Sequence, residues 1–515
     1  MLASELVLPV MLQQRAAETP DAEFLIDVRG PRMTYGEFHA LTLRWAGAFR
    51  RAGIGSGDMV ATMLPNCLEA FAVWLGLSWL GAIEVPLNTA YRGAMLEHTL
   101  TNAGSRLALI GPAYAAQFAE VRDRCPALVD VVVDHDAFVA GAEPPTGLQT
   151  PAYYDTSCMI YTSGTTGPSK GVLVPWAELF QFVTTLPDDV LAPGEAYYLC
   201  LPVFHVSGKS GIYIAAHHRG RLVMRDTFSL TEFWPDIATH GVTATGILGV
   251  MASFLMSVPV QPGESETPLR SCSMGPLVAD VDVFKQRFGV RVSTGYGMTE
   301  IGTPLASDGW SLANATSSGR VRTGYPGYEV RVGDEHDEQV GPGIVGELLV
   351  RAAEPWVLNA GYHNMPAATA AAWRNGWFHT GDAFRYDEDG NYYFVDRIKD
   401  AIRRRGENIS SFEVEAYVAR HPAVQEVAAL AVPAQHGEDE VKICVVVRSG
   451  QELDPRDLID FLVPDMPRFM IPRFVELVAE LPKTPTHRVR KVDLREVGVT
   501  AQTWDRETAG VELPR

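Results

Sequence analysis

The sequence predicts an α/β protein in two parts. A large N-terminal domain of parallel-rich sheets with helices, carrying a β-subdomain, is followed by a small α+β C-terminal domain. Three observations carry this reading. At 515 residues the chain exceeds the ~250 to 300 at which one hydrophobic core stops growing, so more than one domain is required. Strand and helix patterns alternate through the first half, the signature of parallel sheets covered on both faces. After about Pro326 the pattern turns strand-rich, and beyond Asp396 it becomes a short mixed module.

Taken in order, Tyr35 to Ala52 reads as a helix, Gly53 to Asp58 as a turn and Met59 to Met63 as a strand. Cys67 to Leu80 reads as a helix and Ala82 to Pro86 as a strand. The rhythm continues through strands at Arg106 to Ile110, Val129 to Val133, Ala196 to Leu201 and Arg221 to Met224. Tyr328 to Val332 and Val345 to Arg351, separated by the polar turn Gly333 to Gly343, form the β-subdomain. Tyr392 to Val395 is a last strand before the charged segment. Ser411 to Arg420, Val424 to Val432, Val441 to Val447 and Asp457 to Leu462 then make the α+β module. The boundary falls at Asp396, giving domains 1–396 and 397–515.

Composition narrows the function. The 43 basic and 62 acidic side chains leave a formal charge of -19, which repels a polyanion, so no nucleic-acid partner is expected. The one basic run, Arg397 to Arg405 (RIKDAIRRR), is short. Cys67, Cys125, Cys158, Cys200, Cys272 and Cys444 show no CxxC pair, which speaks for reduced thiols in the cytoplasm. The N-terminus lacks the pattern of a secretory signal. The most apolar stretch, Ala70 to Ile83, falls short of the ~20 residues that span a bilayer, so it reads as a buried helix and no stable membrane insertion is expected.

The segment Tyr161 to Gly171 (YTSGTTGPSKG) concentrates the chemistry. Thr162, Ser163, Gly164, Thr165, Thr166 and Gly167 offer hydroxyls and unobstructed backbone N–H groups to phosphate oxygens, and Lys170 adds a cation. The pattern is not GxxxxGK[ST]. A flexible surface turn would share this composition. The apolar runs Met159 to Tyr161 and Val172 to Val174, which bracket the loop like buried strands, favour a phosphate cradle.

TSGTTGPSKG resembles the signature loop of the adenylate-forming superfamily of acyl-CoA synthetases, peptide-synthetase adenylation domains and luciferases. Ser293 to Glu300 (STGYGMTE) is similar to the second signature of that family. The resemblance implies that Tyr296 stacks on adenine, Thr299 meets phosphate and Glu300 holds magnesium. A carboxylate suits Mg²⁺, which takes hard oxygen ligands. Gly275, within Ser273 to Leu277 (SMGPL), falls where relatives turn beside adenine. In Trp377 to Asp382 (WFHTGD), Asp382 falls at the position that accepts the ribose hydroxyls, and Arg397 at the arginine that also contacts ribose.

Asp396 to Glu407 (DRIKDAIRRRGE) resembles the family's hinge. Lys399 takes the hinge position about which a mobile C-terminal domain alternates between adenylation and thioester formation, and Gly406 lies on the coenzyme A path. Leu201 to Gly211 (LPVFHVSGKSG) resembles the wall of the acid pocket. His205 is implied as a gate between acid pocket and thiol tunnel, an ordinary core histidine being the alternative. Ser207 and Gly211 would face the substrate. Lys209 either borders the pocket or points outwards.

One departure stands out. Where the family ends in a motif like LPKTPTGK, this chain reads LPKTPTHRVR from Leu481 to Arg490, with Arg488 at the position of the catalytic lysine. Arginine keeps the cation but presents a planar fork instead of a compact ammonium. Three explanations stay open: arginine does the work, adenylation is slower, or the acid differs. Lys491 can substitute only if the loop shifts, and Lys483 is ordinary for the motif.

The resemblance thus implies an ATP-dependent ligase that forms an acyl-AMP and passes the acyl group to coenzyme A, with Mg²⁺ as metal. The pattern looks closest to carnitine or medium-chain acyl-CoA ligases. The alternatives are activation of an unusual acid such as nitrite with transfer to an amine, and a catalytically silent nucleotide-binding homologue. The partners implied are a small-molecule acid, ATP, and coenzyme A or another acceptor, acting with a monomer or homodimer.

Overall fold

A computed structural model describes the chain except for residues 1–2, 163–168, 399, 401, 405–406, 434–438, 465, 484–488, 512 and 514–515. Two compact units emerge, and they do not follow chain order. One comprises Met1–Arg331, Leu349–His379 and Asp387–Tyr393; the other comprises Val332–Leu348, Thr380–Tyr386 and Phe394–Arg515.

The first unit is built on two parallel-rich sheets, as the alternation predicts. In the six-stranded sheet the order is Asp130–Val132, Leu107–Ile110, Met59–Met63, Ile83–Pro86, Thr156–Thr162 and Lys170–Pro175. Only the last strand is antiparallel to its neighbour. The seven-stranded sheet runs Arg291–Ser293, Ser271–Met274, Val242–Ile247, Ala196–Leu199, Arg221–Met224, Glu23–Asp27 and Arg32–Thr34. Leu107–Ile110 (LALI) and Ala196–Leu199 (AYYL) are buried at every position, because helices cover both faces of such sheets.

The helices obey local rules. Thr34 opens Tyr35–Arg51 with a capping box, its hydroxyl accepting from the Glu37 amide while the Glu37 carboxylate accepts from the Thr34 amide. Leu68–Ser78 is buried at every position but Glu69, as the apolar run from Ala70 predicts. It crosses Tyr35–Arg51 at Gly76, where a Cβ would stand 3.0 Å from the Thr42 carbonyl oxygen. Among the described residues no helix is long and apolar enough to cross a membrane. Beyond the second sheet, Gly295–Met298, Gly302–Ala306 and Ser317–Val321 pair antiparallel, and Ser317–Val321 pairs with the start of Tyr392–Arg397.

The second unit centres on the long hairpin Val424–Pro433 with Asp439–Val447. Phe474–Leu477 adds in parallel and Trp504–Asp505 antiparallel. Helices Ser411–Val418 and Pro455–Leu462 bury Val414, Val418, Leu458 and Ile459 against Val441 and Ile443. Ser410 caps the first helix by accepting from the Glu413 amide, and Asp396 accepts from the Ser411 amide at 2.6 Å.

Candidate active site

The phosphate-loop candidate closes a β-hairpin. Thr162 pairs with Lys170 and Tyr161 with Gly171, so the strands hold the two ends of the loop opposite each other. Ser163, Gly164, Thr165, Thr166 and Gly167 lie outside the described residues. The stem is rigid for stated reasons: a Cβ on Gly171 would meet Met159 Sδ at 2.7 Å, and the Tyr161 hydroxyl donates to Asn102 Oδ1 at 2.6 Å. The loop's exit is held from helix Gly93–Ala103, where His98 Nε2 lies 2.9 Å from the Ser169 carbonyl oxygen. A carbonyl only accepts, so Nε2 carries the hydrogen. The Lys170 ammonium sits 4.6 Å from the centroid of the Tyr362 ring.

Glu300 follows the strand Gly295–Met298 and is 5% exposed. The Tyr362 hydroxyl donates to its Oε1 at 3.1 Å. Its main-chain carbonyl accepts from the Asn359 amide at 3.0 Å and from Asn359 Nδ2 at 2.7 Å. Burial, and then the charge of Glu300, hold the Tyr362 phenol above its ordinary range, so it stays a donor. Tyr296 and Thr299 are half-buried beside this carboxylate in sequence. The parallel pairing of Ser271–Met274 with Arg291–Ser293 brings the Gly275 turn next to them: a Cβ on Gly275 would lie 3.5 Å from the Gly295 carbonyl oxygen.

Glu178, on helix Trp176–Val183, is fully buried. Burial pushes its carboxyl well above the carboxylate range, and the charge of Glu300 pushes it further, while the Gly302 amide opposes the shift. Burial and the nearby Glu300 thus both favour the protonated form of Glu178. Among the described residues no three acidic, His or Cys side chains gather as a metal cage. Mg²⁺ typically takes one or two carboxylates with substrate phosphates, and Glu300 is a donor of that kind. The residues present fit the ion.

His205 precedes helix Val206–His217, half-buried, its ring 4.8 Å from that of Phe204. Ser207 is half-buried, and Gly211 is buried where a Cβ would meet Leu199 at 3.0 Å. Lys209 does not point outwards. It is 1% exposed, with its ammonium 2.5 Å from Glu84 Oε2 and 4.0 Å from the Trp74 ring centroid. Thr62 donates to the other Glu84 oxygen at 2.7 Å. The outward alternative fails because the side chain runs into the buried space where Glu84 and Trp74 meet its ammonium. Gly208, which the sequence reading passed over, lets the start of this helix lie close against the preceding loop: a Cβ there would overlap the Pro202 carbonyl oxygen at 2.0 Å.

In the second unit the two ribose candidates come together. Arg397 Nε is 3.7 Å from Asp382 Oδ1. The Asp382 amide donates to Thr380 Oγ1 at 3.1 Å, the Thr380 hydroxyl to the Leu348 carbonyl at 2.8 Å, and the Ile398 amide to the Gly381 carbonyl at 3.0 Å. Lys399, Gly406 and Arg488 lie outside the described residues. Lys491 has its own partners, Glu415 Oε1 at 2.7 Å and Ser411 Oγ at 2.5 Å. Lys483 pairs with Glu426 at 2.6 Å.

Sequence reasoning missed Tyr362, Asn359, Glu178 and His98. Glu300 and Tyr362 are 62 positions apart, and no local pattern connects them. The bridge between Val172 and Tyr362 puts this segment beside the loop stem.

The fold and the site together define an α/β nucleotide-handling enzyme, with a hydroxyl-rich segment joining two paired strands and a buried carboxylate linked to their stem through Tyr362. The chain belongs to the AMP-binding enzyme family. The family's main domain matches residues 12–362, and the AMP-binding enzyme C-terminal domain matches residues 413–488. A crotonobetaine/carnitine–CoA ligase of Proteus mirabilis (strain HI4320) is 31% identical over 486 residues, covering 90% of this chain and 93% of that protein. The ligase of the same name from Salmonella typhi is 29% identical over 486 residues, with coverage of 90% and 93%. Among solved structures, ATP-bound MatB from Rhodopseudomonas palustris superposes with a TM-score of 0.85 at 25% identity, covering 95% of this chain and 98% of that one. A fatty acyl CoA synthetase of Mycobacterium tuberculosis superposes with a TM-score of 0.75 at 26% identity, covering 96% and 99%. The chain is an adenylate-forming enzyme of the acyl-CoA synthetase type.

Proposed function

We propose that the protein activates a carboxylic acid as its acyl-AMP and transfers the acyl group to the thiol of coenzyme A. One observation carries the reading: Lys170, at the mouth of the phosphate loop, and Glu300, the magnesium candidate, contact the same side chain, Tyr362. A cation for phosphate and a carboxylate for its metal thus share one site. The names of the relatives, ligases of carnitine-type acids to CoA, support the acid and thiol classes.

In the first half-reaction a carboxylate oxygen attacks the α-phosphorus of ATP and pyrophosphate leaves. In the second, the coenzyme A thiolate attacks the acyl carbon and AMP leaves. Bound Mg²⁺ neutralises phosphate charge. The chain's own residues position and stabilise. Tyr296 and Gly275 take adenine, Asp382 and Arg397 take ribose, and Thr162, Ser163, Gly164, Thr165, Thr166, Gly167, Lys170 and Thr299 take phosphate. Arg488 bridges the acid and the α-phosphate. Ser207 and Gly211 line the acid, His205 gates it, and Gly406 borders the thiol path after rotation about Lys399.

Pyrophosphate exchange with a panel of acids, followed by AMP release with and without coenzyme A, tests this reading. Exchange that depends on a carboxylic acid, with AMP release promoted by coenzyme A, is expected. Exchange with nitrite alone and transfer to an amine would replace it. ATP binding with no exchange for any acid would mark a silent homologue. Arg488→Lys should keep exchange and Arg488→Ala should lose it.

A further inference from the structure

Tyr362 is the point at which two parts of the nucleotide site meet. The segment that carries it is pinned to the stem of the phosphate loop by main-chain hydrogen bonds: Ala360 N to Leu173 O at 2.9 Å, Leu173 N to Gly361 O at 3.1 Å and His363 N to Gly171 O at 2.8 Å. The same segment grips Glu300 at both ends, Asn359 on its carbonyl and Tyr362 on its carboxylate. The Tyr362 amide is itself held by Thr369 Oγ1 at 2.9 Å. The ring is 8% exposed, so neither its face nor its hydroxyl can change partner without moving this segment.

We propose that Tyr362 is a positioning residue that couples the phosphate loop to the metal-binding carboxylate, its ring seating the Lys170 ammonium and its hydroxyl orienting Glu300. The inference rests on the reading above, in which Lys170 meets phosphate and Glu300 binds Mg²⁺. A cation over an aromatic face is attracted by the ring quadrupole, and this gives the flexible lysine a fixed post beside the loop. A hydrogen bond to one carboxylate oxygen sets the plane of the other, which is what partners behind a metal ligand do. Because one rigid ring performs both tasks, a shift of the loop stem is transmitted to the carboxylate.

The two contacts separate by substitution. Tyr362→Phe removes the hydroxyl and keeps the ring; Tyr362→Leu removes both. ATP binding is measured by calorimetry across a Mg²⁺ titration and again in EDTA, with melting temperature as the check on folding, and needs neither acid nor turnover. For Tyr362→Phe the Mg²⁺ midpoint is expected to rise about 10-fold, at the lower end of the cost of losing a partner behind a metal ligand, while ATP affinity in EDTA holds. Tyr362→Leu is expected to weaken ATP binding in EDTA as well. An unchanged Mg²⁺ midpoint in Tyr362→Phe overturns the coupling, as does an equal loss with and without Mg²⁺. If Tyr362→Leu does not fold, Tyr362→Phe alone decides. Glu300→Gln is the reference: if it leaves the Mg²⁺ midpoint untouched, the assignment of Glu300 to the metal fails, and this inference with it. If it raises the midpoint while Tyr362→Phe does not, only the coupling fails.

Discussion

The ammonium of Lys209 lies 2.5 Å from Glu84 Oε2, and the two side chains are 2% and 3% exposed. A pair so buried has little water to replace a lost partner. Removing one member strands the other charge, at a typical cost of ~3–5 kcal/mol, whereas replacing both with neutral groups of similar volume is often tolerated. Lys209→Met and Glu84→Gln should each unfold at markedly lower urea concentration, and the double variant should recover most of the loss. Additive losses in urea titrations would show that the two residues do not act as a pair. The same geometry gives Lys209 a structural task, since its charge is already neutralised by Glu84.

Glu178 makes a pH-dependent contribution of definite sign. Its carboxyl is held well above the ordinary 4.5, by burial first and by Glu300 second. Above that ordinary value the unfolded chain releases a proton that the folded chain keeps, so stability falls as pH rises towards the folded value. Glu178→Gln has no proton to release. Its melting temperature should exceed that of the native chain at pH 8 and converge with it near pH 4.5. A variant less stable at pH 8 than at pH 4.5, relative to the native chain, would show that the folded carboxyl is ionised.

His98 holds the exit of the phosphate loop through the Ser169 carbonyl, 71 positions away. Loss of one neutral hydrogen bond is worth ~1 kcal/mol, which corresponds to about fivefold in affinity. His98→Ala should weaken ATP binding by about that factor, and His98→Gln, whose amide can still donate, should restore part of it. Calorimetric titration of ATP into each variant measures this. Equal affinity of His98→Ala and the native chain would remove the loop-holding role.

Much of the fold was legible because it is written locally. Leu68–Ser78 is apolar at nearly every position and is buried at nearly every position, and the helix expected from Tyr35 to Ala52 forms over Tyr35–Arg51. The division into units was less legible. Val332–Leu348 and Thr380–Tyr386 belong with the C-terminal module, although both precede the boundary that composition suggests at Asp396. Contacts between segments far apart in the chain group such residues, and those contacts are not encoded in the period of a single strand.

The site divides in the same way. From its own residues the sequence pointed to a phosphate cradle at Tyr161 to Gly171, because such a cradle needs small and hydroxyl-bearing residues in succession, whereas the roles expected of Ser293 to Glu300 came from the family resemblance. Only the tertiary structure decided which side chains stand behind them. It set Tyr362 between Lys170 and Glu300, Glu178 near enough to Glu300 to feel its charge and His98 against the Ser169 carbonyl. It also turned Lys209 inwards to Glu84 and tied Lys491 to Glu415. The reason is physical: the type of a residue sets what it can bond, but sheet and helix packing sets which partner lies within hydrogen-bonding reach across 60 or more positions of chain.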